Sequence, residues 1–124
     1  MINTLIIAIS LWAAPMAING EDIVAWISPD THDFGDITRN EPVSHEFIFK
    51  NVSREAITID NVRTSCGCTT SDWPELSVLP DSLGSLVITY DAHDEGYFRK
   101  TIKVYFSGQR RAEWLFIEGN VVER

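Results

Sequence analysis

Apolar and polar residues alternate along most of the chain after residue 20, and a period of two predicts β-strands. The clearest example is VSHEFIFKN at 43–51, where alternate residues from Val43 to Phe49 fall on one face. The same alternation predicts five further strands. They are DIVAWIS (22–28), AITIDNV (56–62), SLVITYDA (85–92), TIKVYFS (101–107) and EWLFIEGNVV (113–122).

The alternation also defines which side chains should point into a core. With the exception of His45 these positions are all apolar, so each strand has one face to bury. The predicted inward residues are Val43, His45, Phe47, Phe49, Ile57, Ile59, Leu86, Ile88, Tyr90, Ile102, Val104, Phe106, Leu115, Ile117 and Val121.

The segments between these strands are rich in turn-forming residues, and nowhere do ten residues follow a helical period. Because a sheet with one apolar face must cover it with a second sheet, the pattern predicts two packed sheets. The length suits an all-β, immunoglobulin-like antiparallel β-sandwich of about seven strands over residues 21–124. The segments predicted to be turns are SPDTHDFGD, TRNEP, NVSRE, DWPE, LPDSLGS, DAHDEG and SGQRR.

The first 20 residues, MINTLIIAISLWAAPMAING, carry no charged side chain. The apolar run from Leu5 to Ala14 has the length of a signal-peptide core, and small residues follow it at Ala17 and Gly20. We therefore predict a signal peptide at 1–20 and an exported product, periplasmic or extracellular. An uncleaved anchor or a buried strand or helix are the alternatives. If the segment is removed, the product is not an integral membrane protein.

The chain has 10 basic and 18 acidic residues, which gives a net charge of −8. A protein with this charge repels phosphate backbones and anionic lipids, so nucleic acid is not an expected partner. The sequence also lacks a phosphate-binding glycine loop, a zinc-protease motif and a nucleophile elbow. We predict no catalytic residues and no cofactor.

The only two cysteines, Cys66 and Cys68, flank Gly67 in TSCGCTT at 64–70. They are too close together in the chain to bridge the two sheets as the antibody disulfide does. In an extended strand their Cα atoms would be about 6.6 Å apart, but Gly67 can adopt positive φ and shorten that separation. Three states stay open at this point: a labile disulfide or redox pair, free thiols, and a copper site.

Trp73 lies directly before Pro74 in a polar segment, where a tryptophan can serve as a recognition anchor. The plainer interpretation, which we favour, is that Trp73 folds over the end of the sandwich and closes the core. For His45, a hydrogen-bonded histidine of the core or its edge is preferred over a metal ligand. The acidic loop DAHDEG at 91–96 lacks the spacing of a calcium-binding loop.

Several stretches of the sequence closely resemble one family of exported bacterial proteins. The matching segments are HDFGDI (32–37), FKN (49–51), TSCGCT (64–69), TYD (89–91) and FRKTIKVY (98–105). They identify the chain as similar to domain-of-unknown-function family 1573 over about residues 28–122. The resemblance implies an immunoglobulin-like sandwich related to Hydin-type domains and a bacterial origin, and it implies no established activity.

These observations favour an exported, non-enzymatic module that binds or scaffolds a component of the bacterial cell envelope, either a protein or a glycan. The alternative is a thiol-based protein that binds copper or exchanges disulfides through Cys66 and Cys68.

Overall fold

The computed structural model describes residues 22–123, which form eight β-strands and contain no helix. The predicted signal peptide at 1–20 lies outside these residues. No described segment could therefore cross a membrane as a helix. The strands are β1 (Val24–Trp26), β2 (Thr31–Thr38), β3 (Val43–Asn51), β4 (Ile59–Thr64), β5 (Thr69–Asp72), β6 (Leu83–Tyr90), β7 (Gly96–Phe106) and β8 (Glu113–Val122).

The eight strands form two four-stranded sheets that pack face to face. The first sheet has the order β1-β3-β6-β5 and the second has the order β2-β8-β7-β4. The prediction of an all-β, immunoglobulin-like sandwich is confirmed, with eight strands where about seven were expected.

The core lies between the sheets and is built from the alternating positions of the longer strands. Phe47, Leu86, Ile102 and Leu115 are fully buried, as the period of two predicts. Three predicted inward residues are only half-buried, because they lie near strand ends or at the edge of the sandwich: Val43, His45 and Ile59.

Two strands fall where the sequence predicted turns or loops. β2 occupies THDFGDIT and pairs in parallel with β8. The second sheet is therefore mixed, whereas the sequence predicted an antiparallel one. The strand contains Gly35 at φ 71° and a bulge between Asp33 and Asp36, which interrupt its alternation. β5 is only four residues long and largely polar, and it is held as an edge strand by antiparallel pairing with β6.

Candidate functional site

The two cysteines lie in the short turn between β4 and β5, at one edge of the sandwich. Because β4 belongs to the second sheet and β5 to the first, this turn carries the chain from one sheet to the other. Cys66 and Cys68 are half-buried there, whereas Gly67 is exposed. The structure thus places the pair at a junction of the fold and within reach of solvent.

Cys66 and Cys68 are joined as a disulfide, with their Cα atoms 5.3 Å apart. That separation is shorter than an extended strand allows because 66–69 forms a β-turn, in which the Thr69 N–H donates to the Cys66 carbonyl at 3.3 Å. The expectation that Gly67 would supply the bend through positive φ is wrong, since its backbone is not left-handed. A Cβ at Gly67 would meet nothing within 4 Å.

Hydrogen bonds hold this turn independently of the disulfide. The Thr64 hydroxyl lies 3.0 Å from the Cys66 carbonyl oxygen and 3.2 Å from that of Thr69. On the other side, the Asp91 N–H donates to the Cys68 carbonyl at 3.0 Å and ties the turn to the end of β6. Opening the disulfide therefore leaves the backbone anchored.

Few side chains at this turn could serve as ligands for a metal ion. The sulfur atoms can bind copper only after the disulfide is reduced. Within residues 22–123, no three side chains of His, Cys, Asp or Glu converge in a way that could hold a metal ion. Cys66 and Cys68 would therefore have to bind copper(I) as a two-thiolate set.

The disulfide should contribute little to the stability of the fold. A closed loop of three residues is worth about 1.6 kcal/mol in the chain-entropy model, before any strain is subtracted. We expect protein purified without reductant to have few free thiols, mild reductant to open the bond, and the unfolding midpoint to move little. Thiol titration and urea unfolding with and without reductant measure this. Two free thiols under oxidising conditions, or a loss of several kcal/mol on reduction, would contradict it.

Trp73 follows β5 and lies half-buried against the core. Its indole Nε1 donates to the Ile59 carbonyl at 3.2 Å, which ties the loop of the first sheet to β4 of the second. This contact agrees with the plainer of the two predicted roles, in which Trp73 closes the core of the sandwich. A recognition role for Trp73 stays a prediction.

His45 of β3 stacks on His32 of β2 across the gap between the sheets. The ring centroids are 3.7 Å apart and the planes differ by 7°, and Phe34 and Phe47 contact the pair edge-on. Within residues 22–123 no hydrogen bond to the His45 ring is formed, so the expected hydrogen-bonded histidine is instead held by stacking. Partial burial and the neighbouring His32 lower the pKa of His45 below its ordinary value of 6.5.

This shift predicts a pH dependence of stability. Because the folded state binds a proton less readily than the unfolded state, stability should fall as pH drops through about 6.5 and level off below the folded-state pKa. Urea unfolding between about pH 7.5 and 5.5 measures the effect. His45→Gln should flatten this slope, whereas His93→Gln, in an exposed loop, should leave it. An unchanged slope in His45→Gln would refute the assignment.

An apolar groove on the first sheet has no signal in the sequence. A cavity of about 510 Å³ lies between the outer face of β3 and β6 and the loop at 74–82. Its wall includes Leu76, Leu79 and Leu83, which are 73%, 61% and 60% exposed. These leucines are scattered among turn residues, so no periodicity marked them.

Two face-packed sheets of four strands, with a parallel β2–β8 pair and a cross-sheet β4–β5 turn, define this domain as an immunoglobulin-like β-sandwich. The chain belongs to the family described as "Protein of unknown function (DUF1573)", which matches residues 26–121. No curated protein is similar to it in sequence.

Solved structures share the fold at low sequence identity. The ASH/PapD-like domain 7 of human CEP192 has a TM-score of 0.72 at 9% identity, covering 97% of this chain and 99% of that one. A protein of unknown function from Porphyromonas gingivalis W83 has a TM-score of 0.66 at 13% identity, covering 79% of this chain and 46% of that one. The sialic acid binding region of a Streptococcus sanguinis SK1 adhesin has a TM-score of 0.54 at 11% identity, with coverages of 82% and 29%. The match thus spans nearly all of the solved CEP192 domain and less than half of the other two solved chains.

Proposed function

We propose that this protein is an exported, non-enzymatic module that binds a component of the bacterial cell envelope. The observation that carries the proposal is the exposed apolar surface formed by Leu76, Leu79 and Leu83. Contiguous exposed apolar surface is uncommon on monomeric proteins and is typical of recognition surfaces.

Export is supported by the pattern of residues 1–20 and by the cysteine pair. An apolar core followed by small residues is typical of a signal peptide. A disulfide between Cys66 and Cys68 persists in an oxidising compartment such as the periplasm or the extracellular space.

The partner class we propose is an envelope protein or glycan. Part of the sialic acid binding region of a Streptococcus sanguinis adhesin has a similar fold, which supports a glycan as one candidate partner. The net charge of −8 disfavours nucleic acid.

The test is capture of a partner from the native envelope. Tagged protein should retain a defined envelope component at physiological salt, and Leu79→Gln together with Leu83→Gln should reduce that capture. The matched control is Val52→Gln, which alters an exposed apolar residue outside the groove. Reproducible turnover in an unbiased hydrolase and transferase screen would contradict the proposal.

The cysteine pair favours a second candidate, disulfide exchange or copper binding. Its disulfide lies at a solvent-accessible turn whose backbone is anchored separately, so it can open and close without unfolding the domain. Replacing both Cys66 and Cys68 with serine should then abolish reductase activity or copper(I) binding and leave the circular dichroism spectrum unchanged. Wild-type protein that shows neither activity would exclude this candidate.

A further inference from the structure

The outer face of the second sheet carries cations and aromatic rings in alternation. Arg63 lies over the Tyr105 ring at 5.7 Å, Lys103 over Trp114 at 4.6 Å, and Arg99 over Phe116 at 4.5 Å. These pairs join β4 to β7 and β7 to β8. We call this surface the cation–aromatic face: Arg63, Arg99, Lys103, Tyr105, Trp114 and Phe116.

Two of these cations lie side by side without an acidic partner, although each also lies over an aromatic ring. Arg63 of β4 and Lys103 of β7 are direct cross-strand partners, a placement in which like charges destabilise a sheet. Neither forms an ion pair with a carboxylate among residues 22–123. In a chain with 18 acidic and 10 basic residues, this local excess of positive charge runs against the average.

The third cation shows the ordinary arrangement on the same face. Arg99 contacts the Glu118 carboxylate at 3.3 Å, and Glu118 also accepts a hydrogen bond from the Tyr97 hydroxyl at 2.8 Å. The uncompensated charge is therefore confined to the end of the face that carries Arg63 and Lys103.

A cleft lies at that end. Its volume is about 250 Å³, and its wall includes Arg63, Ser65, Thr101, Lys103 and Tyr105. The Ser65 hydroxyl accepts from the Thr101 N–H at 3.1 Å. The hydroxyl groups of Thr101 and Tyr105 make no hydrogen bond within residues 22–123, so the cleft combines positive charge with hydroxyls that can still pair.

Trp114 keeps part of its flat apolar surface open to solvent, although Lys103 lies over its ring. Trp114 is 51% exposed although it lies on β8, one of the two central strands of its sheet. A half-exposed tryptophan at the centre of a sheet presents its large area to a ligand at low entropic cost. Cations beside flat rings suit a ligand that carries both a carboxylate and a ring with an apolar face.

From this arrangement we infer that the cation–aromatic face binds an acidic glycan whose carboxylates are separated by neutral sugars. A carboxylate lies between Arg63 and Lys103 and relieves their repulsion, while an adjacent sugar ring packs on Trp114. Spaced carboxylates fit because only two cations are uncompensated, and a denser polyanion is repelled by the rest of the chain. The inference goes beyond the proposed function, since that function is carried by the leucine groove on the first sheet and this face is a separate binding surface on the second sheet.

The test measures affinity for defined oligosaccharides with the full chain, produced with its own N-terminal segment. The acidic probe is a hyaluronan oligosaccharide, in which glucuronate alternates with N-acetylglucosamine, and the neutral probe is an N-acetylglucosamine oligomer of the same length. By calorimetry we expect at least about tenfold tighter binding of the acidic probe, weakened by added salt. A single-stranded oligonucleotide should bind more weakly than hyaluronan.

Variants separate this site from general charge. Arg63→Gln with Lys103→Gln should weaken hyaluronan binding at least about tenfold, while Lys50→Gln with Arg54→Gln, the same charge change on other parts of the surface, should stay within about twofold. The first pair should shift the unfolding midpoint little, because it removes a like-charge contact together with the cation–π contacts to Tyr105 and Trp114. If that pair fails to fold, each single substitution serves, with a loss of at least about threefold expected.

Four results would overturn the inference: equal affinity for both oligosaccharides, tighter binding of the oligonucleotide, equal losses in the two charge pairs, or no hyaluronan binding by the wild type. Capture of an envelope component that depends on the leucine groove, alongside any of these results, leaves the proposed function standing and removes only the glycan site on the cation–aromatic face. Failure of all envelope capture would instead remove the proposed function.

Discussion

Replacing Asn51 with aspartate is expected to destabilise the fold by about 3–5 kcal/mol, because it places an uncompensated charge in a buried site. Asn51 is the last residue of β3 and is fully buried. Its side-chain Nδ2 donates to the carbonyl oxygens of Glu55 and Val78, each at 2.8 Å. Its Oδ1 accepts from the backbone N–H and the hydroxyl of Ser53.

The amide of Asn51 therefore joins the β3–β4 loop to the segment that precedes β6. Aspartate retains the acceptor but loses both donors, so a carboxylate faces two carbonyl oxygens with no proton between them. The backbone reinforces the same junction, since the Asp81 N–H donates to the Asn51 carbonyl and the Asn51 N–H donates to the Ser82 carbonyl.

Urea unfolding at neutral pH measures this effect. The matched control is Asn61→Asp, which makes the same chemical change at an exposed position of β4 and should alter stability by less than about 0.5 kcal/mol. Lowering the pH should reduce the deficit of Asn51→Asp, since protonation of the buried carboxyl restores a donor. Equal midpoints for the two variants would show that the Asn51 amide is not needed.

Gly84→Ala is the second substitution expected to have a large effect, a loss of about 1–3 kcal/mol through overpacking. Gly84 of β6 is the cross-strand partner of Phe49 on β3. An added Cβ would overlap the Phe49 ring, whose Cε1 and Cε2 atoms lie 2.9 Å from that position. The ring cannot move aside easily, because Trp26 and Phe106 pack against it with centroids at 5.6 and 4.9 Å.

A double-mutant cycle tests this explanation directly. Phe49→Leu alone should destabilise by creating space, yet in the Gly84→Ala background the smaller side chain should recover part of the loss, so the two effects should not add. Gly67→Ala is the glycine control, since its Cβ meets nothing within 4 Å, and it should change stability by less than about 0.5 kcal/mol. Strict additivity of Gly84→Ala and Phe49→Leu would show that the ring is not the obstacle.

The candidate sites were accessible from sequence to different degrees. The position of Cys66 and Cys68 was evident because they are neighbours in the chain, and adjacency limits their geometry. The sequence did not show how the turn brings the two cysteines together. The bend comes from a β-turn in which the Thr69 N–H donates to the Cys66 carbonyl, and not from the φ of Gly67. The stack of His32 on His45 was also missed, because β2 looked like a turn.

The sequence by itself determined the fold class and most of the core. Alternation with a period of two assigns each side chain to a face by local geometry alone, which is why buried residues such as Phe47, Ile88 and Val104 were predicted correctly. The family resemblance likewise depended on contiguous segments of the chain.

Only the tertiary structure decided which strands are neighbours and in what register. β2 is a strand because β8 supplies hydrogen-bonding partners for its irregular backbone. Arg63 and Lys103 are 40 positions apart in the sequence and meet because a bulge between Ile59 and Asn61 sets the register of β4 against β7. Since a slip of one residue would turn every side chain to the opposite face, the cation–aromatic face exists only through that pairing, which no local pattern specifies.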